Sequence, residues 1–329
     1  MAEAAVTAAD EKAADFKRRF SELADNIEGF IRGKDEAVRL ALVCLFAEGH
    51  LLIEDVPGVA KTSLAKAIAR SVKGGTVQRI QFTPDLLPSD LTGVQIYDQA
   101  RGEFEFRRGP IFANIVVGDE INRASPKTQS ALLEVMAEHQ VTVDGATREV
   151  PRPFICIATQ NPTEHQGTYP LPEAQLDRFM MRIRIGYPAQ RDEVSVVADG
   201  LARRRPEELE PVMTVDELLD MIDSVPDVHF APALQEYVVQ LAAATRDLPE
   251  LRLGVSPRGS IAVARCAQAR AASMGRSFVT PDDVKAVAAP VLGHRLLLTP
   301  EAAIQGQKPE ALIERVLKKV PVPRNPARK

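Results

Sequence analysis

Several signatures of specialised protein classes are scarce in the 329-residue sequence or missing from it. Three widely spaced cysteines form no CxxC pair, which argues against a disulfide framework or a zinc knuckle. Five scattered histidines form no pair with metal-ligand spacing. The longest apolar run, LALVCLFA at 40–47, is too short to span a bilayer, and the N-terminus does not resemble a signal peptide. We therefore expect a cytoplasmic protein without membrane insertion.

A surplus of positive charge is also missing. The formal net charge is −4, whereas dedicated nucleic-acid binders usually carry a basic field. Nucleic acid is therefore disfavoured as a partner, and only a narrow basic channel within an assembly would reverse that expectation. What is present is an ordinary globular composition, 45% hydrophobic and 26% charged, over a length that suffices for two domains.

Short β-type runs alternate with helical segments in the first half of the chain. Most of the runs are rich in β-branched or aromatic residues, and three are almost continuously apolar, as in strands buried on both faces. Helix-type spacing appears in TSLAKAIARSV and PKTQSALLEVMAEH. This alternation predicts an α/β fold with a parallel sheet wrapped by helices. The predicted strands are HLLIE (50–54), VQRIQF (77–82), ANIVVGDE (113–120), PFICIAT (153–159) and MRIRI (181–185).

Strand signals stop at about Pro188, and helix starts replace them. Thr214 and Glu217 fit a capping box. Three prolines each follow a Ser or Thr that can cap a helix, at Pro257, Pro281 and Pro300. The sequence therefore predicts a core domain over residues 1–188 and an all-helical domain over residues 189–329.

The segment EDVPGVAKTS at 54–63 has the form of a phosphate-binding loop that lacks both consensus glycines. When Lys61 and Thr62 are aligned with the consensus, Asp55 and Ala60 occupy the glycine positions. A predicted strand precedes the loop and a helix follows it, so the first helical turn can offer unpaired N–H groups to phosphate. We expect Lys61 to reach the β- and γ-phosphates and the Thr62 hydroxyl to hold Mg²⁺. The alternative is a strand–turn–helix with an accidental Lys-Thr.

Polar residues at the ends of two predicted central strands strengthen the nucleotide interpretation. IVVGDE places Asp119 and Glu120 where paired acids are costly unless they have a function. Asp119 is suited to hold Mg²⁺ and Glu120 to polarise an attacking water. The amide of Asn161, after the next strand, is suited to bridge the γ-phosphate and that water. The alternative is an acidic turn and a turn-initiating Asn-Pro.

Two arginines are candidates for charge neutralisation. Arg178 lies just before the last predicted strand, and Arg258 lies in the first turn of a helix in the second domain. A cation beside the positive end of a helix dipole is mildly unfavourable, and a bound phosphate would offset that cost. The alternative is that both arginines are solvated surface residues.

Four segments of the chain resemble the MoxR family of AAA+ ATPases. They are LIEDVPGVAKTSLAKAIA, VVGDEINRASPKTQSALLEVMAEHQVTVDG, CIATQNPTEHQGTYPLPEAQLDRFMMRI and GVSPRGS. The resemblance extends from about residue 31 to the last helices. It implies an αβα core with a five-stranded parallel sheet in the order 5-1-4-3-2, followed by a helical lid. It also implies Mg²⁺-dependent hydrolysis of ATP to ADP and phosphate, and a homo-oligomeric ring, commonly a hexamer.

The resemblance assigns roles residue by residue. Asp119 and Glu120 match Walker B, Asn161 matches sensor 1, and Arg258 matches sensor 2. Arg178 matches the arginine finger, which would act on a neighbouring subunit's nucleotide. The implied Mg²⁺ ligands are Thr62 and Asp119. Nucleotide-binding positions are Ile31 and Gly33 in the adenine-pocket segment, and Pro57, Gly58, Val59, Ala60, Lys61, Thr62 and Ser63 in Walker A.

Two hairpins and one regulatory contact are also implied. Residues of about 91–109 resemble a hairpin inserted in helix 2, and residues of about 138–152 resemble a hairpin before sensor 1. The turn residues Arg101-Gly102 and Asp144-Gly145 support both, against the alternative of ordinary surface loops. In many AAA+ proteins a polar residue at the end of the second strand holds the catalytic Glu away from water. We therefore hypothesise that Gln81 restrains Glu120.

The resemblance implies a chaperone that remodels, matures or activates a protein complex. Such ATPases often work with a partner that carries a von Willebrand factor A domain, which a separate polypeptide would supply here. One alternative is the ATPase motor of a magnesium or cobalt chelatase. Another is a nucleic-acid motor in which Arg107 and Arg108 line a basic pore. Glu120 argues against a further alternative, a scaffold without enzymatic activity.

The two replaced glycines lead to two expectations about the loop. The Asp55 carboxylate would repel a triphosphate, so we expect it to face away from the phosphates. Ala60 would cost little in a right-handed helical conformation but about 1 kcal/mol at positive φ. Because the other nucleotide residues are retained, we expect Ala60 to be right-handed and the site to work.

Overall fold

The first half of the chain forms an α/β structure. The computed structural model describes residues 2–162 and 167–323. In chain order, the elements of this half are α1 (Ala2–Glu28), α2 (Asp35–Phe46), β1 (Leu51–Glu54), α3 (Lys61–Arg70), β2 (Val72–Lys73), β3 (Val77–Gln81), α4 (Pro88–Thr92), β4 (Gly93–Asp98), β5 (Glu103–Arg108), β6 (Ile115–Asp119), α5 (Pro126–Glu138), β7 (Gln140–Val143), β8 (Ala146–Glu149), β9 (Ile155–Gln160), α6 (Glu173–Leu176) and β10 (Met181–Ile183).

Five parallel strands form the central sheet in the order β10-β1-β9-β6-β3. Counted along the chain, this is 5-1-4-3-2, so the predicted sheet is confirmed. All five predicted strands are present, with ends that differ by at most two residues from the predicted ones. Because the strands are parallel, their carboxyl ends meet at one edge of the sheet and their amino ends meet at the opposite edge.

Hydrophobic clusters cover both faces of this sheet. Neighbouring residues of a strand point to opposite faces, so Val116 packs in one cluster and Val117 in the other. Strands β6 and β9 are buried on both faces, as their continuous apolar sequence predicts. The cluster that contains Val117 extends to Leu218 and Val263, so one core runs through both halves of the chain.

An antiparallel hairpin lies in each of the two segments where one was expected. Strand β4 pairs with β5, and β7 pairs with β8. Asp144 and Gly145 both have positive φ, of 51° and 77°, as a two-residue type I′ turn requires. The guanidinium of Arg148 lies 3.8 Å from the ring centroid of Phe106, so a cation–π contact joins the two hairpins.

The second half is helical apart from three short strands. Its elements are α7 (Gln190–Leu201), β11 (Met213–Thr214), α8 (Val215–Ser224), α9 (Pro232–Arg246), β12 (Leu251–Leu253), α10 (Pro257–Ser273), α11 (Pro281–Leu292), β13 (Leu297–Leu298), α12 (Pro300–Ile304) and α13 (Pro309–Lys319). Strand β11 pairs with β2 of the first half, and β12 pairs with β13. Strands of two or three residues are too short to give a period in the sequence. None of the described helices combines the length and apolarity that a membrane span requires.

Helix starts in this half follow the predicted capping residues. Thr214 and Glu217 form the capping box of α8, in which the Thr214 hydroxyl accepts from the Glu217 N–H at 3.2 Å. Helices α10, α11 and α12 begin at the three predicted prolines. Local sequence therefore determines where these helices begin.

One buried guanidinium connects the two halves. Arg295 follows α11, and its side chain is only 3% exposed. Its Nε donates to the Asp177 carboxylate at 2.7 Å, and its terminal nitrogens donate to the carbonyls of Phe179 and Met180 at 2.7 and 3.2 Å. The segment that carries Arg178 is thus held by a residue of the second half.

Replacement of this guanidinium should destabilise the fold strongly. We expect Arg295→Met to lower the unfolding free energy by about 3–5 kcal/mol, because it leaves a carboxylate and several carbonyls without their buried partner. Urea denaturation measures the change. The control is Arg191→Met, since the Arg191 side chain is 89% exposed, and we expect it to change stability by less than about 0.5 kcal/mol. Equal losses in the two variants would contradict the role of Arg295.

Candidate functional site

A cavity of about 440 Å³ lies at the carboxyl edge of the sheet. The loop after β1, the start of α3 and the ends of β3, β6 and β9 supply its walls. It brings together most Walker A, Walker B and sensor 1 candidates from separate parts of the sequence. Its lining residues are Pro57, Gly58, Ala60, Lys61, Thr62, Ser63, Arg79, Gln81, Asp119, Glu120, Thr159 and Asn161. We refer to it as the phosphate cavity.

Asp119 lies at the bottom of the phosphate cavity and is 3% exposed. Its Oδ1 accepts from the Thr62 hydroxyl at 2.8 Å, so the two predicted metal ligands lie side by side. A carboxylate and a hydroxyl oxygen are hard ligands of the kind Mg²⁺ prefers, so this pair fits the ion. In the described part of the chain, no group of three or more His, Cys, Asp or Glu side chains has a metal-binding arrangement, and His165 lies outside the described residues.

Lys61 extends across the phosphate-binding loop. Its ammonium donates to the backbone carbonyls of Asp55 and Gln160, the latter at 3.1 Å. Partial burial lowers the pKa of Lys61, while the negative charges of Asp55, Glu120 and Asp119 act in the opposite direction. The ammonium is therefore placed where negative charge has to be balanced.

The Asp55 carboxylate faces away from the phosphate cavity, which confirms the expectation for this position. Its Oδ2 accepts from the backbone N–H groups of Ile185 and Gly186 at 2.8 and 2.6 Å. Its Oδ1 accepts from the N–H of Val56 at 2.8 Å. A carboxylate at the first consensus glycine therefore connects the loop to the segment that follows β10.

The expectation for Ala60 is wrong. Its φ of 60° and ψ of 25° are left-handed, and it directly precedes the first residue of α3. This is the conformation that a glycine adopts at no steric cost, and for an L-residue it costs roughly 1–2 kcal/mol. The presence of Lys61, Thr62 and Asp119 in the sequence does not determine the backbone conformation of Ala60, because the geometry of the whole loop sets it.

Glu120 also has a left-handed backbone, with φ 56° and ψ 51°. Its N–H donates to the Thr159 hydroxyl at 3.0 Å, which fixes the turn after β6. Its Oε2 accepts from the Gln81 side-chain amide at 2.9 Å and from Arg123 at 3.0 Å. The hypothesised partner Gln81 is thus in contact with Glu120.

Sequence reasoning missed Arg79 and Thr159. Arg79 Nε lies 2.6 Å from Asp119 Oδ2, and Thr159 Oγ1 donates to Asp119 Oδ1 at 3.3 Å. The strand period was a usable signal, because residues 79 and 81 point to the same face. An arginine two residues before Gln81 therefore belonged to the same group of candidates.

The two adenine-pocket candidates line different cavities. Ile31 and Val59 line a cavity of about 240 Å³ beside the loop, together with Val196 of α7. Gly33 lines a neighbouring cavity of about 420 Å³ instead. Its φ is 66°, and a Cβ there would lie 2.2 Å from the Asp192 carboxylate. Gly33 thus permits close packing of α7 rather than forming a wall of the smaller cavity.

Arg178 and Arg258 share a third cavity of about 250 Å³, which we call the arginine cavity. It is also lined by His50, just before β1, and by Met180, just before β10. It therefore lies at the amino edge of the sheet, opposite the phosphate cavity. Ile261 and Arg265 continue the same face of α10 into it. Among the described residues, Arg258 and Arg265 form no hydrogen bond or ion pair.

His50 is a structural residue of the arginine cavity. Its Nδ1 accepts from the Cys156 N–H at 3.0 Å, and its Nε2 lies 2.9 Å from the Met136 carbonyl. Burial lowers the pKa of His50 to about 4, so the ring is neutral near pH 7. His50 therefore adds no positive charge to this cavity near pH 7.

Known proteins share the sequence and the fold of this chain. The model of the ATPase family associated with various cellular activities (AAA) matches residues 50–181, and that of the AAA lid domain matches residues 243–316. The chain is 48% identical to the uncharacterized protein YeaC of Bacillus subtilis, over 91% of this chain and 93% of that protein. It is 43% identical to chaperone MoxR1 of Mycobacterium tuberculosis, over 90% of this chain and 80% of that protein.

A solved structure from Cytophaga hutchinsonii has the same fold, and ATPase activity has been proposed for that protein. It has a TM-score of 0.89 and is 36% identical in sequence. The match covers 97% of this chain and 99% of that one. The match therefore extends over both the α/β half and the helical half of the chain.

Because the backbone of Ala60 is left-handed, we predict that glycine at this position stabilises the fold. We expect Ala60→Gly to raise the unfolding free energy by about 0.5–1 kcal/mol, since relief of backbone strain exceeds the added freedom of the unfolded chain. Urea denaturation measures it. The control is Ala14→Gly, at an exposed position inside α1, which should lose roughly 0.5–1 kcal/mol. A loss in both variants would mean that Ala60 is right-handed in solution.

Proposed function

Because the chain belongs to the MoxR family of AAA+ ATPases, we propose that it is an ATP-driven chaperone that remodels or activates a protein complex. The observation that carries the proposal is the phosphate cavity, where Lys61, Thr62, Asp119, Glu120 and Asn161 converge. A relative named as a chaperone, MoxR1, supports the finer assignment.

The residues of the phosphate cavity have separate roles in this proposal. Lys61 and the N–H groups at the start of α3 bind the phosphates, and Glu120 polarises the attacking water. Asn161 orients that water against the γ-phosphate. Thr62 and Asp119 hold Mg²⁺, which supplies charge neutralisation on the phosphate oxygens when bound. Adenine occupies the cavity beside Ile31 and Val59.

The proposal includes a head-to-tail ring, commonly hexameric in this family. Arg178 and Arg258 lie at the amino edge of the sheet, whereas the chain's own phosphate cavity lies at the carboxyl edge. A heterologous contact between copies brings these opposite edges together. Both arginines would then serve the nucleotide of the neighbouring subunit. For Arg258 this differs from a role beside the chain's own nucleotide.

The partner and the location complete the proposal. A separate protein with a von Willebrand factor A domain would deliver the client complex. Three free and buried cysteines suit a reducing compartment, so we place the ATPase in the cytoplasm.

Assembly should control the ATPase activity. We expect specific activity to rise with protein concentration across the range where the ring forms. Arg178→Ala and Glu120→Gln should each be inactive alone, while their equimolar mixture regains activity at about a quarter of the interfaces. There, an intact Glu120 meets an intact Arg178 from its neighbour. Arg258→Ala should complement Glu120→Gln in the same way.

The control for complementation is a mixture of Arg178→Ala with Arg258→Ala. Both substitutions of such a mixture remove an arginine from the amino edge of the sheet. Whichever variant supplies the arginines at an interface, one of the two arginines is missing there. We expect no recovery there. Recovery in that mixture, or none with Glu120→Gln, would contradict the action of these arginines on a neighbouring subunit.

A trapped assembly should reveal the client. We expect Glu120→Gln, purified from its native host with ATP and Mg²⁺, to retain a von Willebrand factor A protein and a client complex, because slow hydrolysis preserves the bound state. Mass spectrometry against a Lys61→Ala control identifies the retained proteins. Chelatase subunits among them would favour a metal-insertion motor, and nuclease-sensitive retention of DNA would favour a nucleic-acid motor.

A further inference from the structure

Arg79 contacts the Walker B aspartate from the edge of the sheet. It lies on β3, the outermost strand, and its side chain is 52% exposed. Its Nε is 2.6 Å from Asp119 Oδ2, while the other oxygen of Asp119 is occupied by Thr62 and Thr159. Among the described residues, both hydroxyl partners of Asp119 thus contact Oδ1, whereas Oδ2 is in contact with the guanidinium of Arg79.

The same guanidinium also orients Gln81. Arg79 Nη2 donates to Gln81 Oε1 at 3.1 Å, and Gln81 Nε2 donates to Glu120 Oε2 at 2.9 Å. A side-chain amide rotates as one unit, so the bond to its oxygen fixes the direction of its nitrogen. Arg79 is therefore linked to both Walker B acids, directly to Asp119 and through Gln81 to Glu120.

We propose that Arg79 is a positioning residue that competes with the divalent cation for Asp119 and couples arrival of the cation to release of Glu120 from Gln81. This inference rests on the proposed ATPase site. An arginine stays charged near neutral pH, so only displacement can remove its charge from Asp119. A divalent cation on the same carboxylate repels the guanidinium. Once Arg79 leaves, the Gln81 amide loses the bond that aims it at Glu120.

The position of Arg79 suits a group that has to move. An edge strand has no further strand beyond it, and half of the Arg79 side chain is exposed, so the guanidinium has open solvent to enter. An ion pair this exposed contributes little to stability. Structural support of β3 is therefore a weak reason for an arginine at this position.

The test measures metal binding directly. Mn²⁺ is titrated into the protein saturated with a non-hydrolysable ATP analogue, and free Mn²⁺ is followed by electron paramagnetic resonance. We expect Arg79→Gln to bind Mn²⁺ about three- to tenfold more tightly than the parent, because a competing charge is gone. Arg79→Lys should stay within about twofold of the parent, since it keeps that charge.

A matched variant controls for the loss of one positive charge. Arg70→Gln removes an exposed arginine at the far end of α3, and we expect no change in Mn²⁺ affinity beyond about twofold. Equal affinities of Arg79→Gln and the parent would overturn the competition. Failure of every protein, including the parent, to bind the analogue would overturn the ATPase site itself.

A double-variant cycle tests the coupling to Glu120. Gln81→Leu removes the bridge but leaves the contact between Arg79 and Asp119, so Mn²⁺ affinity should match the parent while basal ATPase activity rises. Arg79→Gln should raise basal activity as well, and the double variant should show no further rise, because both changes break one link. Additive effects of the two substitutions on activity would contradict the coupling.

Discussion

The negative charge of Asp119 is the constraint around which the nucleotide site is organised. A carboxylate at the end of a central strand is costly unless charged and hydrogen-bonding groups surround it. The fold supplies them from three directions: the hydroxyl of Thr62 from the helix after the loop, that of Thr159 from one neighbouring strand, and the guanidinium of Arg79 from the other. A cation bound to this carboxylate would change the same balance, so the proposed metal site and the strand contacts at this edge would depend on each other.

The parallel sheet imposes a second constraint, on assembly. Strand β1 begins beside the arginine cavity and leads into the loop that lines the phosphate cavity, so the two cavities lie at opposite edges of the sheet. The buried guanidinium of Arg295 makes the arginine half-site depend on both domains, because it fixes the segment around Arg178 from the second half. In the proposed ring, a movement of the helical region would therefore act on the neighbour's nucleotide through these arginines. It would also act on the chain's own nucleotide through α7, because Val196 lines the cavity beside the loop.

The sequence predicts those parts of the fold that short segments determine. Apolar runs located the five core strands, and N-cap residues located the helix starts, because both depend on neighbours within a few residues. The polar residues that end the strands, such as Gln81 and Asp119, were predictable because parallel strands must end at one edge. Tertiary placement was not predictable in this way. In the sequence, nothing in the neighbourhood of Arg79 indicates a contact with Asp119. In the same way, only the fold brings Arg258 to the same cavity as Arg178.

Left-handed backbones have different causes at different positions of this chain. In the described part of the chain, six non-glycine residues have left-handed backbones, and four of them line the phosphate or arginine cavity. Two of these end helices in the ordinary way for a left-handed residue: His139 directly follows α5, and Glu48 follows the C-cap residue Ala47 of α2. Ala60 and Glu120 end no helix. Their strain persists because the loop and the turn after β6 impose it, and both residues line the phosphate cavity. The missing glycine at position 60 therefore leaves the loop geometry intact and changes only its energetic cost.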